Sequence, residues 1–482
     1  MSPVTKESVV EIKDRPAAKS GDAAPTRALA AFAARLALAA IPPAVVTRAK
    51  DLLLDYISTV VPVVQEEPAQ KLIRFAKSVG GPPESRIIGS GVSVAAPWAA
   101  LVNGAMGHMA ELDDTHRGTM AHPGDSVWAA ALTMGERQGA SGEEFLAAAI
   151  AGYEVALRIG EAVMPDHYRK GWHTSGTIMS FGAAATAGRL LKLDQTAMAW
   201  ALGTAGAQAS GNFAHLAERA MTKDFNCGHA AKSGVIAAML AAEGFTGPTD
   251  VLESPRGFMA LYGGDNNHPE RLTAGLGTAW KVMEVAQKAY SACRYIHPSL
   301  DAVLALQNEA RFTHADVKHI KARILSTGAA LVNDPVPWEG NKGLQGTRFS
   351  TQFNIAVALL HGCQGLWNLL DKKYPFEYRD SSEIRGIMKK IEVIPDAELD
   401  LNFPDQWSTV IEVELAGGKR LARRVDYPTG EPENPMDQPM LAEKFRSLTS
   451  LASWSEAKSG GLIPVVYGLD KAKSLAGLLE YL

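Results

Sequence analysis

The sequence predicts a mostly α protein with an α+β insertion: a large all-helical domain and a smaller α+β lid domain. Three observations carry this. Ala- and Gly-rich segments with helical apolar spacing fill the first half of the chain. Near residue 278 the pattern changes to short alternating runs, and after a proline-rich stretch at 426–438 it returns to helix. The expected organisation is a polar, disordered leader over 1–25, the first part of the helical domain over 26–277, and the lid over 278–428. A linker and C-terminal helices over 429–482 then rejoin the helical domain.

Taken in order, Thr26 is positioned to cap a helix over 27–41, which Pro42 and Pro43 stop; Pro43 can open the next, 43–61. Leu52, Leu53, Tyr56 and Val60 mark its buried face. Ser141-Gly-Glu-Glu144 is a capping box for a helix reaching about Val163, and further helices are expected over 176–192, 195–209 and 229–243. In the lid, Trp280–Val285 reads as a strand, 298–310 as a helix, and Ile320–Leu325 as a strand. Thr347–His361 is expected to be helical and Ile391–Ile394 extended. Ser408–Leu415 and Leu421–Val425 form a hairpin about Gly417-Gly418.

Composition removes several classes of function. The net charge of −4 leaves no broad basic field for nucleic acid or an anionic membrane surface. No apolar run is long enough for a transmembrane helix, and the acidic, uncentred N-terminus is unlike a secretory or transit signal. Cys227, Cys293 and Cys363 are scattered without a CxxC pair, which argues against disulfides and iron–sulfur clusters and for a reducing, cytoplasmic setting.

Four segments concentrate polar residues. Glu111-Leu-Asp113-Asp114-Thr115-His116, followed by Ala121-His122-Pro123, gathers titratable groups ahead of a helix that Pro123 can start, a place that favours anions. Each component has a bland alternative: a solvated loop here, a core or capping histidine at Gly171-Trp172-His173, a surface lysine at Met221-Thr222-Lys223. The fourth, Tyr290 to Pro298, packs Arg294 and His297 against two tyrosines. No HExxH-like spacing supports a metal site, and none is expected.

In sequence order, NGAMGHMAELDDTH…AHPGD, GWHTSGTI, MTKDFNCGHAAKSGVIAAMLAAEGFTGP and CRYIHPSLDA resemble the signature segments of the MmgE/PrpD family, over about residue 27 to the C-terminus. The resemblance implies a helical domain completed by the C-terminal tail, an α+β lid, a dimer, no cofactor, and lyase or epimerase chemistry on a small polycarboxylate. It implies catalytic roles for His122, His173, Lys223, His297 and Asp113, and substrate contacts from Glu111, Asp114, Thr115 and Arg294. Dehydration of the 2-methylcitrate type is the expected reaction, with cis-aconitate-type decarboxylation or iminodisuccinate-type epimerisation as alternatives. A catalytically silent binding protein of the same fold should have lost one of His122, His173, Lys223 or His297; all are present. The chain departs from the family pattern in four places. Glu111 replaces a common Asp, and the gap from Thr115 to His122 is about one residue longer. Asn226-Cys227-Gly228-His229 follows Lys223, and no tyrosine falls near Leu331-Val332-Asn333.

Overall fold

The computed structural model describes residues 24–218, 220–339, 346–371 and 373–482, so the leader expected over 1–25 lies almost wholly outside the described residues. The architecture is mostly α with an α+β portion. The principal helices of the first half are α1 (Pro25–Arg35), α2 (Pro43–Val63), α3 (Glu67–Val79), α4 (Ala96–Met109), α5 (Pro123–Gln138) and α6 (Gly142–Val163). They continue as α7 (Met179–Leu190), α8 (Gln195–Gly206) and α9 (Thr222–Ala242). Proline supplies the first or second residue of α1 to α5, where its missing N–H costs nothing. Ser141 and Glu144 form the expected reciprocal capping box of α6.

Small residues set the spacing of these helices. α4 and α9 cross so closely that a Cβ on Gly228 would fall 2.1 Å from the Leu101 carbonyl, and one on Gly107 would fall 2.4 Å from Asp125 Oδ1. That approach lets polar side chains of α4, α5 and α9 meet in the interior.

The α+β portion contains α10 (His297–Ala310), β3 (Val317–Ile324), α11 (Thr351–Trp367), β4 (Ile391–Pro395), β5 (Thr409–Leu415) and β6 (Arg420–Val425). A separate small hairpin, β1 (Ser85–Ile87) with β2 (Val92–Val94), lies in the first half. The four-stranded sheet has the order β4-β3-β5-β6. β3 and β4 are parallel with Ile320 opposite Ile391, and the other pairs are antiparallel. Gly418, at φ +82°, provides the left-handed turn residue of the β5–β6 hairpin. The last long helices are α12 (Gln438–Leu451) and α13 (Glu456–Tyr467).

Two hydrophobic cores follow. One joins residues from Leu29 to Val285 with Leu441, Phe445, Leu448 and Leu462 of the C-terminal helices. The other runs from Ala289 to Met436. The segment expected as a strand over Trp280–Val285 is instead a 3-10 turn, Lys281–Glu284. Trp280, Val282 and Val285 are buried in the first core, and the Val282 N–H donates to the buried Glu154 carboxylate, so no neighbouring strand takes it up. Other boundaries shift as well. Thr26 does not cap α1; its hydroxyl ties the helix to Glu253 and to the Leu252 N–H. The helix expected over 27–41 ends at Arg35 and gives way to a 3-10 turn. α9 begins at Thr222, which puts Lys223 inside its first turn and not ahead of it.

Lys444 of α12 fastens the C-terminal helices to the centre. Its ammonium, fully buried, lies 2.5 Å from Asp55 Oδ1 of α2 and donates to the Lys288 carbonyl at 2.7 Å. Burial raises the Asp55 carboxyl despite this partner. Replacing Lys444 with Met should cost about 3–5 kcal/mol in urea unfolding, because Asp55 is left buried and uncompensated. Adding Asp55→Leu to that variant should restore part of the loss; a further, additive loss would contradict the pairing.

Candidate active site

A cavity of about 120 Å3 lies where the two cores meet, and it opens beside a larger cleft of about 1110 Å3 that shares His116, Arg117, Met120, Tyr168 and Tyr295 with it. Its polar end is built by Glu111, His108, His122, His173, Lys223 and Lys288, and its apolar sides by Phe213, Tyr295, Leu331, Phe349 and Trp407.

The loop after α4 carries the acids. Asp113 is buried and stands behind the cavity wall. It takes His108 Nδ1 at 2.6 Å, His122 Nδ1 at 2.7 Å and Lys288 Nζ at 3.3 Å. Burial opposes its charge, yet His122, Lys288 and His108 outweigh burial and hold the carboxyl well below its usual range. Lys288 arrives because the backbone of Ala286 pairs with that of Thr115 in both directions, at 2.7 and 2.8 Å. Glu111 bridges the two ammonium groups, contacting Lys223 through one oxygen and Lys288 at 3.4 Å through the other. Burial opposes the Lys223 charge, but Glu111, Asp224 and Asp113 more than offset it and raise the ammonium above its normal value. Lys223 therefore stays protonated and is a poor base.

The imidazoles are sorted by their partners. His122 Nδ1 faces two groups that can only accept, the Asp113 carboxylate and the Asp114 carbonyl at 3.0 Å, so it carries the hydrogen. In the neutral form of this ring the lone pair falls on Nε2. His108 donates through Nδ1 to Asp113 and receives Lys223 on Nε2 at 2.7 Å. Burial and the Lys223 charge lower it to about 4, so the ring is neutral. His173 accepts from the Asn226 amide on Nδ1 at 3.0 Å, which leaves its hydrogen on Nε2; burial, then His108, keeps it well below its usual value. The nearest metal-like donor set, His108, Asp113 and His122, holds its atoms at hydrogen-bond separations of 2.6 and 2.7 Å. Ligand atoms on a tetrahedral zinc with bonds of about 2.0–2.1 Å stand roughly 3.3 Å apart. Protons and two neighbouring ammonium groups suit this set better than a metal does.

The remaining expected residues divide. Thr115 lines the cavity. Asp114 does not: it accepts from the Gly124 N–H and the Tyr153 hydroxyl, both at 2.7 Å, and burial pushes its carboxyl up to about 7. It fixes the start of α5 and is not among the cavity-lining side chains. Arg294 reaches the cavity, but Glu431 engages it at 2.6 and 3.1 Å. His297 is the largest departure from expectation. It is fully buried and is not among the cavity-lining side chains. Nδ1 accepts from Arg294 at 3.2 Å, and Nε2 donates to the Ala292 carbonyl at 3.1 Å. Nδ1 is used in holding Arg294 and Nε2 is tied to the Ala292 carbonyl, so neither nitrogen faces the cavity.

Three participants were not singled out from sequence: His108, Lys288 and Glu431. His108 stood inside the NGAMGHMAELDDTH segment, where its spacing from Asp113 was the available sign. Lys288 and Glu431 had none, since only the fold brings them to the acids and to Arg294.

Models of the MmgE/PrpD N-terminal domain and the MmgE/PrpD C-terminal domain match residues 27–271 and 290–459. The chain belongs to the MmgE/PrpD family. Among characterised proteins it is similar to a cis-aconitate decarboxylase of Aspergillus terreus, 28% identical over 96% of both chains. The human cis-aconitate decarboxylase is 28% identical over 91% of this chain and 90% of its own. The cis-aconitate decarboxylase-like protein oryM of Aspergillus oryzae is 28% identical over 86% and 88%. MmgE/PrpD relatives with these names are enzymes, so this member is read as an enzyme too. Among the described residues no helix is long and apolar enough to cross a membrane.

The placement of His297 has a measurable consequence. His297→Ala should lower stability by about 1–3 kcal/mol, the cost of stranding a buried donor and acceptor. It should raise KM through the loosened Arg294 more than it lowers kcat. A kcat loss as deep as that of His122→Ala, with stability unchanged, would return His297 to a chemical role.

Proposed function

We propose that this MmgE/PrpD protein is a lyase acting on a small polycarboxylate, with decarboxylation of a cis-aconitate-type tricarboxylate as the first reading. One observation carries it: the ammonium groups of Lys223 and Lys288 and the imidazoles of His108, His122 and His173 converge at one end of a small cavity that Phe213, Tyr295, Leu331, Phe349 and Trp407 wall with apolar surface. Such a site neutralises carboxylates at one end and deprives another of water, which favours loss of carbon dioxide. The named relatives, all cis-aconitate decarboxylases or like them, support that choice over the dehydration expected from sequence.

In this reading Lys223 and Lys288 hold a substrate carboxylate. The carbon–carbon bond to a second carboxylate breaks, its electron pair shifts through the double bond onto carbon beside the held carboxylate, and carbon dioxide leaves. That carbon takes its proton from solvent by relay through the Nε2–H of His173, the ring regaining a proton as it gives one up and so staying neutral.

A second reading, dehydration of a 2-methylcitrate-type hydroxy acid, is favoured by the pairing of tautomers. His122 offers a lone pair to take a carbon-bound proton, and His173 offers a proton for the departing hydroxyl. Incubation with cis-aconitate and, separately, with 2-methylcitrate decides between them. Release of carbon dioxide with a five-carbon unsaturated diacid from the first compound supports decarboxylation. A new unsaturated tricarboxylate from the second, without gas, supports dehydration. No turnover of either would remove both.

The division of roles is separable by mutation. Lys223→Met should weaken binding of substrate and of inert polycarboxylates alike, by roughly 2–5 kcal/mol for a lost charge partner. His173→Ala and His122→Ala act on proton transfer, so kcat should fall by about 10²–10⁴-fold for the one that serves the reaction, with inhibitor affinity changed far less. Normal inhibitor binding by Lys223→Met together with abolished turnover would make the lysine the proton carrier instead.

A further inference from the structure

Glu111 stands immediately after Ala110, the residue that ends α4, and its φ is +53°. Glycine takes this left-handed conformation freely and glutamate does not, so the side chain must be what the position is kept for. That side chain is a cavity-lining carboxylate clasped between Lys223 and Lys288. The polar end of the cavity is consequently balanced before any ligand arrives: Lys223 and Lys288 are matched by Glu111 and Asp113. The cations farther out are also committed, Arg294 to Glu431 and Arg117 to Glu431 and Glu433.

A polycarboxylate entering this site brings charge for which, among the described residues lining the cavity, each lysine and arginine already has a carboxylate partner. One internal carboxylate has to give way. Asp113 is pinned by two imidazoles and Lys288 behind the wall, whereas Glu111 contacts the two lysines and reaches the cavity itself. Resting on the polycarboxylate reading above, we infer that Glu111 occupies the substrate-carboxylate seat between Lys223 and Lys288 in the empty site and yields it, taking up one proton from solvent, when a polycarboxylate binds.

The surroundings explain the proton. The groups acting on Glu111 are Lys223 and Asp224 of α9, His108 of α4, Asp113, Lys288 and Cys293. Burial works against its charge, and the lysines, with a smaller share from His108, keep it ionised. A ligand carboxylate that takes over both ammonium groups leaves Glu111 buried, close to Asp113 and Asp224, without compensation. Protonation from the medium removes that repulsion, and the released side chain can turn aside.

Calorimetric titration with tricarballylate, a saturated tricarboxylate that lacks both a hydroxyl group and a double bond, tests this on the wild-type protein. Binding heats near pH 7 in buffers of different ionisation enthalpy should show close to one proton taken up per ligand. Glu111→Gln, which keeps the shape and removes the competing charge, should bind tricarballylate about tenfold tighter, a gain of about 1.4 kcal/mol, with uptake near zero. A purely structural role would loosen binding in this variant. Wild-type binding without proton uptake, or Glu111→Gln binding more weakly or with uptake intact, overturns the inference while leaving the polycarboxylate reading in place. Absence of binding to the wild type would sink that reading and the inference with it.

Discussion

Two negative and two positive charges share the dry interior at the polar end of the cavity, and the rest of the site depends on their balance. Asp113 and Glu111 are ionised only because Lys223, Lys288 and two imidazoles surround them, and the lysines stay charged only because the acids are there. Separately, each would cost several kcal/mol to bury. Together they bear on the imidazoles beside them. His108 is neutral because it is buried and Lys223 points at one nitrogen, against the opposite pull of Asp113 on the other. His122 turns Nδ1 to Asp113 and the Asp114 carbonyl.

The scaffold reads as a device for bringing these groups together. Glycine contacts between α4 and α9 allow backbones close enough for His108, Asp125 and Lys223 to share a layer. The backbone pairing of Thr115 with Ala286 carries Lys288 in from the far side, and Lys444 of the C-terminal helix binds the Lys288 carbonyl from beneath. Lys444, near the C-terminus, thus steadies the backbone of a lysine whose side chain lines the cavity. The second core contributes mainly apolar walls, Tyr295, Phe349 and Trp407, together with the Arg294–Glu431 pair. Charge is concentrated on one side of the ligand space and water is displaced on the other, an arrangement suited to stabilising carbanion character beside a carboxylate.

His297 shows how a motif can gather residues without fixing which of them face the cavity. The CRYIH segment placed an arginine and a histidine together, and both were expected at the ligand. The 3-10 turn over Arg294–Ile296 and the helix beginning at His297 turn the two side chains toward each other instead. Arg294 and Cys293 face the cavity; His297 supports Arg294 from behind.

What the sequence determined by itself was the kind of fold and the company of residues. Proline at helix starts, the Ser141–Glu144 box and the alternation of Ser408–Leu415 are local signals, and α2, α5, α6 and the β5–β6 hairpin lie where they point. The order of polar segments was equally legible, and Glu111, Thr115, His122, His173 and Lys223 do line one cavity. Tertiary structure decided the rest, because partnership in space has no local signature. Trp280–Val285 looked like a strand until its apolar residues found the first core and its N–H found Glu154. Lys288 and Lys444 look like surface lysines in sequence, and only burial beside Asp113 and Asp55 gives them their roles. Protonation, too, depends on burial and on distance to charge across the fold, so the lowering of His108 and His173 was never written in the order of residues.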